Sequence, residues 1–219
     1  MLPNLFLAGF PKAGTTSLFS WLAAHPEVCG ARPKEPGHFL PLRWGDPLPP
    51  PDYARNFAHA RSERWRLDGT PGHAYGGGAL AEAIREASPD ARVILLLRDP
   101  VGRAFSYYRY RQLQGRLTGV VFGDYIECCL ALPEAELGRR ENQDMFGVTG
   151  GCYARWLPEW QAAFGDALRV EFFDTLVADP VALLAGICDW LGLDAGEIPR
   201  SQTDAENVSL LYRSRAVQR

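Results

Sequence analysis

The chain has 219 residues, of which 47% are hydrophobic and 22% charged, and a formal net charge of −3. These values fit one ordinary globular domain with a proper core. The negative balance excludes a whole-surface attraction to nucleic acid or anionic membrane, so any anion site must be built from local basic residues and no nucleic-acid partner is expected.

The first residues, MLPNLFLAGFPKAGTT, lack a basic segment and a cleavage site, and Leu5 to Gly9 reads as a buried strand ending in a Gly/Pro turn. From Thr15, TTSLFSWLAAH puts Leu18, Trp21 and Leu22 on one helical face. A loop-rich stretch follows, with a short strand at Val28 and a proline-dense excursion, PLRWGDPLPPPDY, that reads as irregular. Tyr53 to Ala60 reads as a short helix, Trp65 to Asp68 as a strand leading into the turn GTPG, and Ala79 to Ala87 as a helix. Arg92 to Leu97 (RVILLL) is continuously apolar after its first residue, as strands buried on both faces of a parallel sheet are. Pro100 sits where a first-turn proline belongs, opening a helix through VGRAFSYYRYRQLQ. Tyr153 to Phe164 reads as an amphipathic helix, Leu168 to Phe173 as a strand and Pro180 to Leu191 as a helix.

Strands alternating with helices imply an α/β fold: a single P-loop-like three-layer domain, its central parallel sheet flanked by helices. No apolar stretch approaches the roughly 20 residues of a membrane span, so a cytoplasmic protein without integral membrane association is expected. The five cysteines (Cys29, Cys128, Cys129, Cys152, Cys188) show no CxxC spacing and are expected to be buried small hydrophobes in a reducing compartment.

Two motifs carry chemistry. The first strand, turn and helix enclose GFPKAGTTSL, Gly9 to Leu18. A glycine-containing loop that opens a helix offers backbone N–H groups to an anion, reinforced by the helix dipole. In the nucleoside-triphosphate loop a Lys follows the second Gly; here Thr15 stands there and the lysine lies inside the loop, at Lys12. The anion-binding set is therefore Pro11, Lys12, Ala13, Gly14, Thr15, Thr16 and Ser17. The second motif is LLLRDPVGRAFSYY. A triphosphate-hydrolysing enzyme needs an Asp after the apolar strand to organise Mg²⁺. Here Arg98 comes first, Asp99 reads as a helix cap, and Ser106 follows about two helical turns on. Arg98 and Ser106 form a second anion site suited to a phosphate monoester. No metal site is expected.

PKAGTTSL together with RDPVGRAFSYY resembles the sulfotransferases that use 3′-phosphoadenosine 5′-phosphosulfate (PAPS), and KEPGHF, DGTPGHAY, GGCYARWLPEW and FFDTLVADPVALLAGICDWLGL extend the resemblance over nearly the whole chain. The details are closer to the heparan-sulfate type of domain than to the cytosolic phenol and steroid type. The resemblance implies that Lys12 stabilises the oxygen leaving sulfur, that Thr15, Thr16 and the loop amides hold the 5′-phosphate, and that Arg98 and Ser106 hold the 3′-phosphate. It places Glu35 in ARPKEPGHF as the base that takes the acceptor's proton; His38, Asp68 and His73 are rivals, and Lys34 is a contact to donor or acceptor. Gly151 and Tyr153 match the family's G-x-Y beside the site, while Trp156 and Trp160 read as core. After DWLGLD the tail SQTDAENVSLLYRSRAVQR is short for the family: Arg213 and Arg215 either form an abbreviated lid over the donor or belong to a frayed terminus. The acceptor is expected to be a glycan, a lipid-linked compound or a small metabolite, approached along Pro41 to Asp52 and Gln114 to Gly150. A P-loop small-molecule kinase and a non-catalytic nucleotide-binding protein are the rival readings.

Overall fold

The structure is a computed structural model and describes residues 1–50 and 52–199; the expected lid residues Arg213 and Arg215 lie outside them. Five strands form one wholly parallel sheet: β1 (Leu5–Gly9), β2 (Val28–Gly30), β3 (Trp65–Asp68), β4 (Arg92–Leu97) and β5 (Leu168–Phe172), in the order β2-β3-β1-β4-β5. Leu5 pairs with Arg92, Leu7 with Ile94 and Val93 with Leu168, so β1 and β4 lie in the middle.

Because side chains alternate along a strand, β1 and β4 feed two cores. Phe6, Ala8, Val93 and Leu95 meet Leu80, Ala81 and Ile84 of α2 (Gly77–Ala87) and Trp160 and Phe164 of α5 (Leu157–Phe164). Leu5, Leu7, Ile94 and Leu96 meet Leu18, Trp21 and Leu22 of α1 (Thr15–Leu22) and Leu184, Ile187 and Leu191 of α7 (Pro180–Leu191). Both faces are covered, which is why RVILLL carries no polar alternation. The three-layer α/β architecture expected from the sequence is the one observed. A third cluster, Tyr108, Leu117, Tyr125 and Cys129, joins α3 (Pro100–Leu113) to α4 (Phe122–Ala131).

Several expectations are corrected. The helix expected from Tyr153 is a single 3₁₀ turn, Tyr153–Arg155, and α5 starts at Leu157, because Pro158 belongs in a first turn and not an interior. Tyr53–Phe57 is 3₁₀ rather than a helix to Ala60, and the excursion expected to be irregular opens with a 3₁₀ turn, Leu40–Trp44, again with proline in its first turn. A short α6 (Phe173–Ala178) follows β5 directly, and α4 lies in a stretch read as plain approach loop. Cys29, Cys129 and Cys188 are buried as expected, but Cys128 and Cys152 are exposed, Cys128 because it neighbours Cys129 on the outward side of α4. No helix among the described residues is long and apolar enough to cross a membrane.

Gly9 closes β1 where it crosses the chain after β3. A Cβ there would overlap the Cβ of Ala74 and crowd the Pro71 carbonyl. Gly9→Val is therefore expected to destabilise the fold by about 1–3 kcal/mol. Scanning calorimetry should show a loss of roughly 2–4 °C per kcal/mol for a domain of this size; an unchanged melting temperature would contradict the packing described.

Candidate active site

In a parallel sheet every strand delivers its following loop to the same edge. Phe10–Gly14 after β1, the Ala31–Phe39 segment after β2, Gly69–Thr70 after β3 and Arg98–Asp99 after β4 thus gather at the carboxyl edge. Backbone bonds knit them together: Phe10 N–H donates to the Leu96 carbonyl at 2.8 Å and Gly69 N–H to the Lys34 carbonyl at 3.1 Å.

The loop after β1 is built for close approach. Lys12 takes a left-handed conformation with φ 71° and Gly14 another with φ 94°. A non-glycine residue held at positive φ stores strain of order 1 kcal/mol, a feature that gathers at functional sites. Gly14 is doubly required, since a Cβ would also press against Phe173 at 3.0 Å. Gly14 caps α1 with no side-chain hydrogen bond, so the first-turn amides face outward without a capping group. The hydroxyl-bearing residues differ in access: Thr15 and Ser17 are buried, Thr16 is exposed, and Pro11 and Lys12 are half-buried around the buried Ala13. The Lys12 ammonium stands 4.4 Å from the centre of the Tyr110 ring, on α3.

Arg98 comes to the same place from β4. Its Nη1 donates to the Lys12 carbonyl at 3.2 Å and its guanidinium lies 4.2 Å from the centre of the Phe173 ring. Arg98 forms no ion pair among the described residues. Burial lowers its pKa, with Asp174 and Asp99 opposing, but a guanidinium stays charged. The Tyr153 hydroxyl clamps the Arg98 backbone, donating to its carbonyl at 2.7 Å and accepting from its N–H at 3.2 Å. Asp99 accepts from Gly102 N–H at 2.6 Å, the expected cap. Ser106 is half-buried two turns along α3.

Sequence reasoning passed over Arg103, although it sits inside RDPVGRAFS. Its side chain is fully buried, and it donates to the Pro11 carbonyl at 3.4 Å, the Tyr75 hydroxyl at 3.2 Å, the Phe146 carbonyl at 3.0 Å and the Gly147 carbonyl. No carboxylate pairs with it among the described residues. Burial of arginine is rare, and its place five residues after Arg98 carried no signal separating it from a solvated charge. Phe173 and Tyr110 were missed because nothing local marks an aromatic as a lid for a cation.

The four base candidates divide by exposure. Glu35 is exposed and paired with Lys34 at 2.8 Å; Lys34 also donates to the Gly69 carbonyl at 3.1 Å. His38 is half-buried and stacks on Tyr53 with centroids 4.3 Å apart; burial lowers its pKa, with Asp68 opposing. Asp68 is fully buried, accepting from the Tyr53 hydroxyl and from Thr70 N–H at 2.7 Å. His73 is fully buried, with both ring nitrogens unpartnered among the described residues, and burial lowers its pKa. Trp160 is core as expected, whereas Trp156 is only half-buried and lines a pocket. No cluster of three or more His, Cys, Asp or Glu among the described residues is placed to hold a metal.

The family model described as "Sulfotransferase family" matches residues 52–197. The chain belongs to the sulfotransferase family. Human heparan sulfate glucosamine 3-O-sulfotransferase 3B1 is 28% identical over 88% of this chain, and the chain spans 46%, about half, of that relative's length. The solved sulfotransferase from Alicyclobacillus acidocaldarius superposes with a TM-score of 0.76 at 25% identity, covering 91% of this chain and 84% of the other. The mouse sulfotransferase SULT7A1, complexed with PAP, shares the fold at a TM-score of 0.51 and 14% identity over 94% of this chain and 63% of its own. In this sulfotransferase chain the loop at Lys12 meets the end of β4 through Arg98, and Arg103 holds the same loop from α3.

Removing that side chain strands carbonyls in the interior. Arg103→Met is expected to cost about 1–3 kcal/mol in urea unfolding, and Arg103→Lys to recover only part, since an ammonium cannot reproduce the fork. Full recovery by lysine would show that charge alone, without the fork, is what the site uses.

Proposed function

We propose that the protein transfers a sulfuryl group from PAPS to a hydroxyl or amine of a glycan or small-molecule acceptor, as a single domain. The observation that carries this reading is the Arg98 guanidinium seated on the carbonyl of Lys12, which joins the two expected phosphate sites in one cluster. The fit to the donor rests on spare binding capacity: a helix N-terminus with no side-chain cap, a loop at positive φ and an arginine with no ion pair among the described residues. A fold relative complexed with PAP agrees with this choice.

When bound, the donor supplies the electrophilic sulfur and a bisphosphate leaving group; the chemistry left to the chain is placement and charge. In this reading Pro11 to Ser17 hold the 5′-phosphate with backbone N–H groups and the Thr15, Thr16 and Ser17 hydroxyls. Arg98 and Ser106 hold the 3′-phosphate, and Tyr153 fixes the Arg98 backbone. Lys12 stabilises negative charge on the oxygen that sulfur leaves, a preorganised donor in a partly desolvated place. Glu35 takes the acceptor's proton as the new bond to sulfur forms. Its exposure fits a base that must meet an incoming molecule, while the full burial of Asp68 and His73 weighs against them. His38 is the second candidate, since a lowered pKa keeps its imidazole neutral at pH 7. The kinase reading lacks its Mg²⁺ carboxylate, because Asp99 is spent on the cap of α3.

Incubation with labelled donor and an acceptor panel, read by mass spectrometry for a sulfuryl gain, tests the reading; no transfer to any acceptor, with bisphosphate binding intact, would favour a non-catalytic binding protein. Lys12→Ala is expected to lower kcat about a hundred- to a thousandfold with the melting temperature unchanged; near-normal turnover would remove Lys12 from its role. Arg98→Ala is expected to weaken binding of the 3′,5′-bisphosphate product far more than that of an analogue lacking the 3′-phosphate, and equal losses by calorimetry would count against the assignment. Glu35→Gln should lower the rate on a hydroxyl acceptor with little change in product affinity; retained rate would pass the role to His38.

A further inference from the structure

Beside the loop at Lys12 a pocket of about 280 Å³ is lined by Arg43, Tyr75, Phe146, Thr149, Arg155 and Trp156, with Glu134 at its border. Its volume, near the lower end for small-molecule sites, suits a single ring-sized group. Tyr75, Phe146 and Trp156 give it apolar walls, their rings packed edge to face at 4.8–4.9 Å between centroids.

Arg43 is the unusual member. Its guanidinium lies 5.3 Å from the centre of the Trp44 ring, 4.8 Å from that of Tyr75 and 4.6 Å from that of Phe146. Among the described residues it makes no hydrogen bond and no ion pair. The arginines around it are matched: Arg155 with Glu134, Arg140 with Asp46, Arg111 with Asp144. Glu134 is thus already neutralised and points no free carboxylate at Arg43. Burial lowers the Arg43 pKa, the mark of a cation set in a poorly solvated place. A half-buried cation whose donors are unspent is costly unless an anion joins it.

The walls of the pocket adjoin the loop that holds Lys12, since Phe10 packs against Tyr75 and Trp156. Tyr75 accepts from Arg103, which also donates to the Pro11 carbonyl. Lys12 stands over Tyr110 of α3, where Arg111 spans Tyr110 and Tyr107 at 5.9 and 5.1 Å. Tyr107 in turn acts electrostatically on Arg43. The pocket and the segment that carries Lys12 are thus built on shared neighbours.

We propose that the pocket is an acceptor subsite in which Arg43 binds a carboxylate carried on a ring that packs against Tyr75, Phe146 and Trp156. The fork of a guanidinium matches a planar carboxylate through two parallel hydrogen bonds. Naming the bound molecule the acceptor rests on the sulfuryl-transfer reading; binding of the acid itself does not.

Two probes that differ in the carboxylate are p-nitrophenyl β-D-glucuronide and p-nitrophenyl β-D-glucoside, titrated by calorimetry into the full chain saturated with the 3′,5′-bisphosphate. Wild type is expected to bind the glucuronide about ten- to a hundredfold more tightly, the range of one charge-assisted hydrogen-bonded pair. Arg43→Met should erase the preference and Arg43→Lys keep part of it, with circular dichroism and bisphosphate affinity as the checks on folding. Equal affinity for the two probes in wild type, absence of glucuronide binding, or a preference that survives Arg43→Met would overturn the proposal. A preserved preference together with no sulfuryl transfer to any acceptor would leave the subsite standing and contradict the sulfuryl-transfer reading instead.

Discussion

Arg103 is a fully buried charge with no carboxylate partner among the described residues, and the arrangement of the site depends on what holds it. The guanidinium reaches the Pro11 carbonyl in the loop after β1, the Tyr75 hydroxyl in the turn after β3, and the carbonyls of Phe146 and Gly147 before α5. Three segments distant in sequence are thereby fixed to one helix, α3, which also carries Ser106 and Tyr110. A buried arginine held by carbonyl dipoles rather than by a carboxylate keeps its net positive charge, so it adds to the field behind the loop at Lys12.

Around that hub the polar groups fall into two kinds. Arg103, Asp68 and Tyr153 are consumed by the protein and set positions: Asp68 fixes the turn after β3 through Tyr53 and Thr70, and Tyr153 fixes the backbone of Arg98. Arg98, Arg43 and the first turn of α1 retain donors that the described protein does not use up. Aromatic rings hold two of these cations in place without neutralising them: Phe173 under Arg98 and three rings around Arg43. A ring face attracts a cation by about 0.5–2 kcal/mol, enough to bias a side chain and weak enough to be displaced by an anion.

The strand–loop–helix order was legible because period and punctuation agree: RVILLL can only be a strand covered on both faces, and Pro100 can only open a helix. The same logic located Lys12, Gly14 and Arg98, and the structure brings these residues together. What escaped was set by tertiary contact. Arg103 looks like any helical arginine until Pro11, Tyr75 and Phe146 converge on it. Pro158 moved the start of α5, and the proline-dense stretch still forms a turn at Leu40–Trp44, which places Arg43 among rings that come from Tyr75 and Phe146. No pattern within one segment encodes that meeting.

The central claim is that the loop at Lys12 and the end of β4 form one site for one doubly phosphorylated ligand. Its most direct test is a titration of the ¹⁵N-labelled protein with 3′,5′-bisphosphoadenosine, following backbone amide shifts. The account predicts that the amides of Ala13 to Ser17 and those of Arg98 to Ser106 shift together along a single saturation curve. Shifts confined to one of the two segments, or two curves with different midpoints, would contradict it.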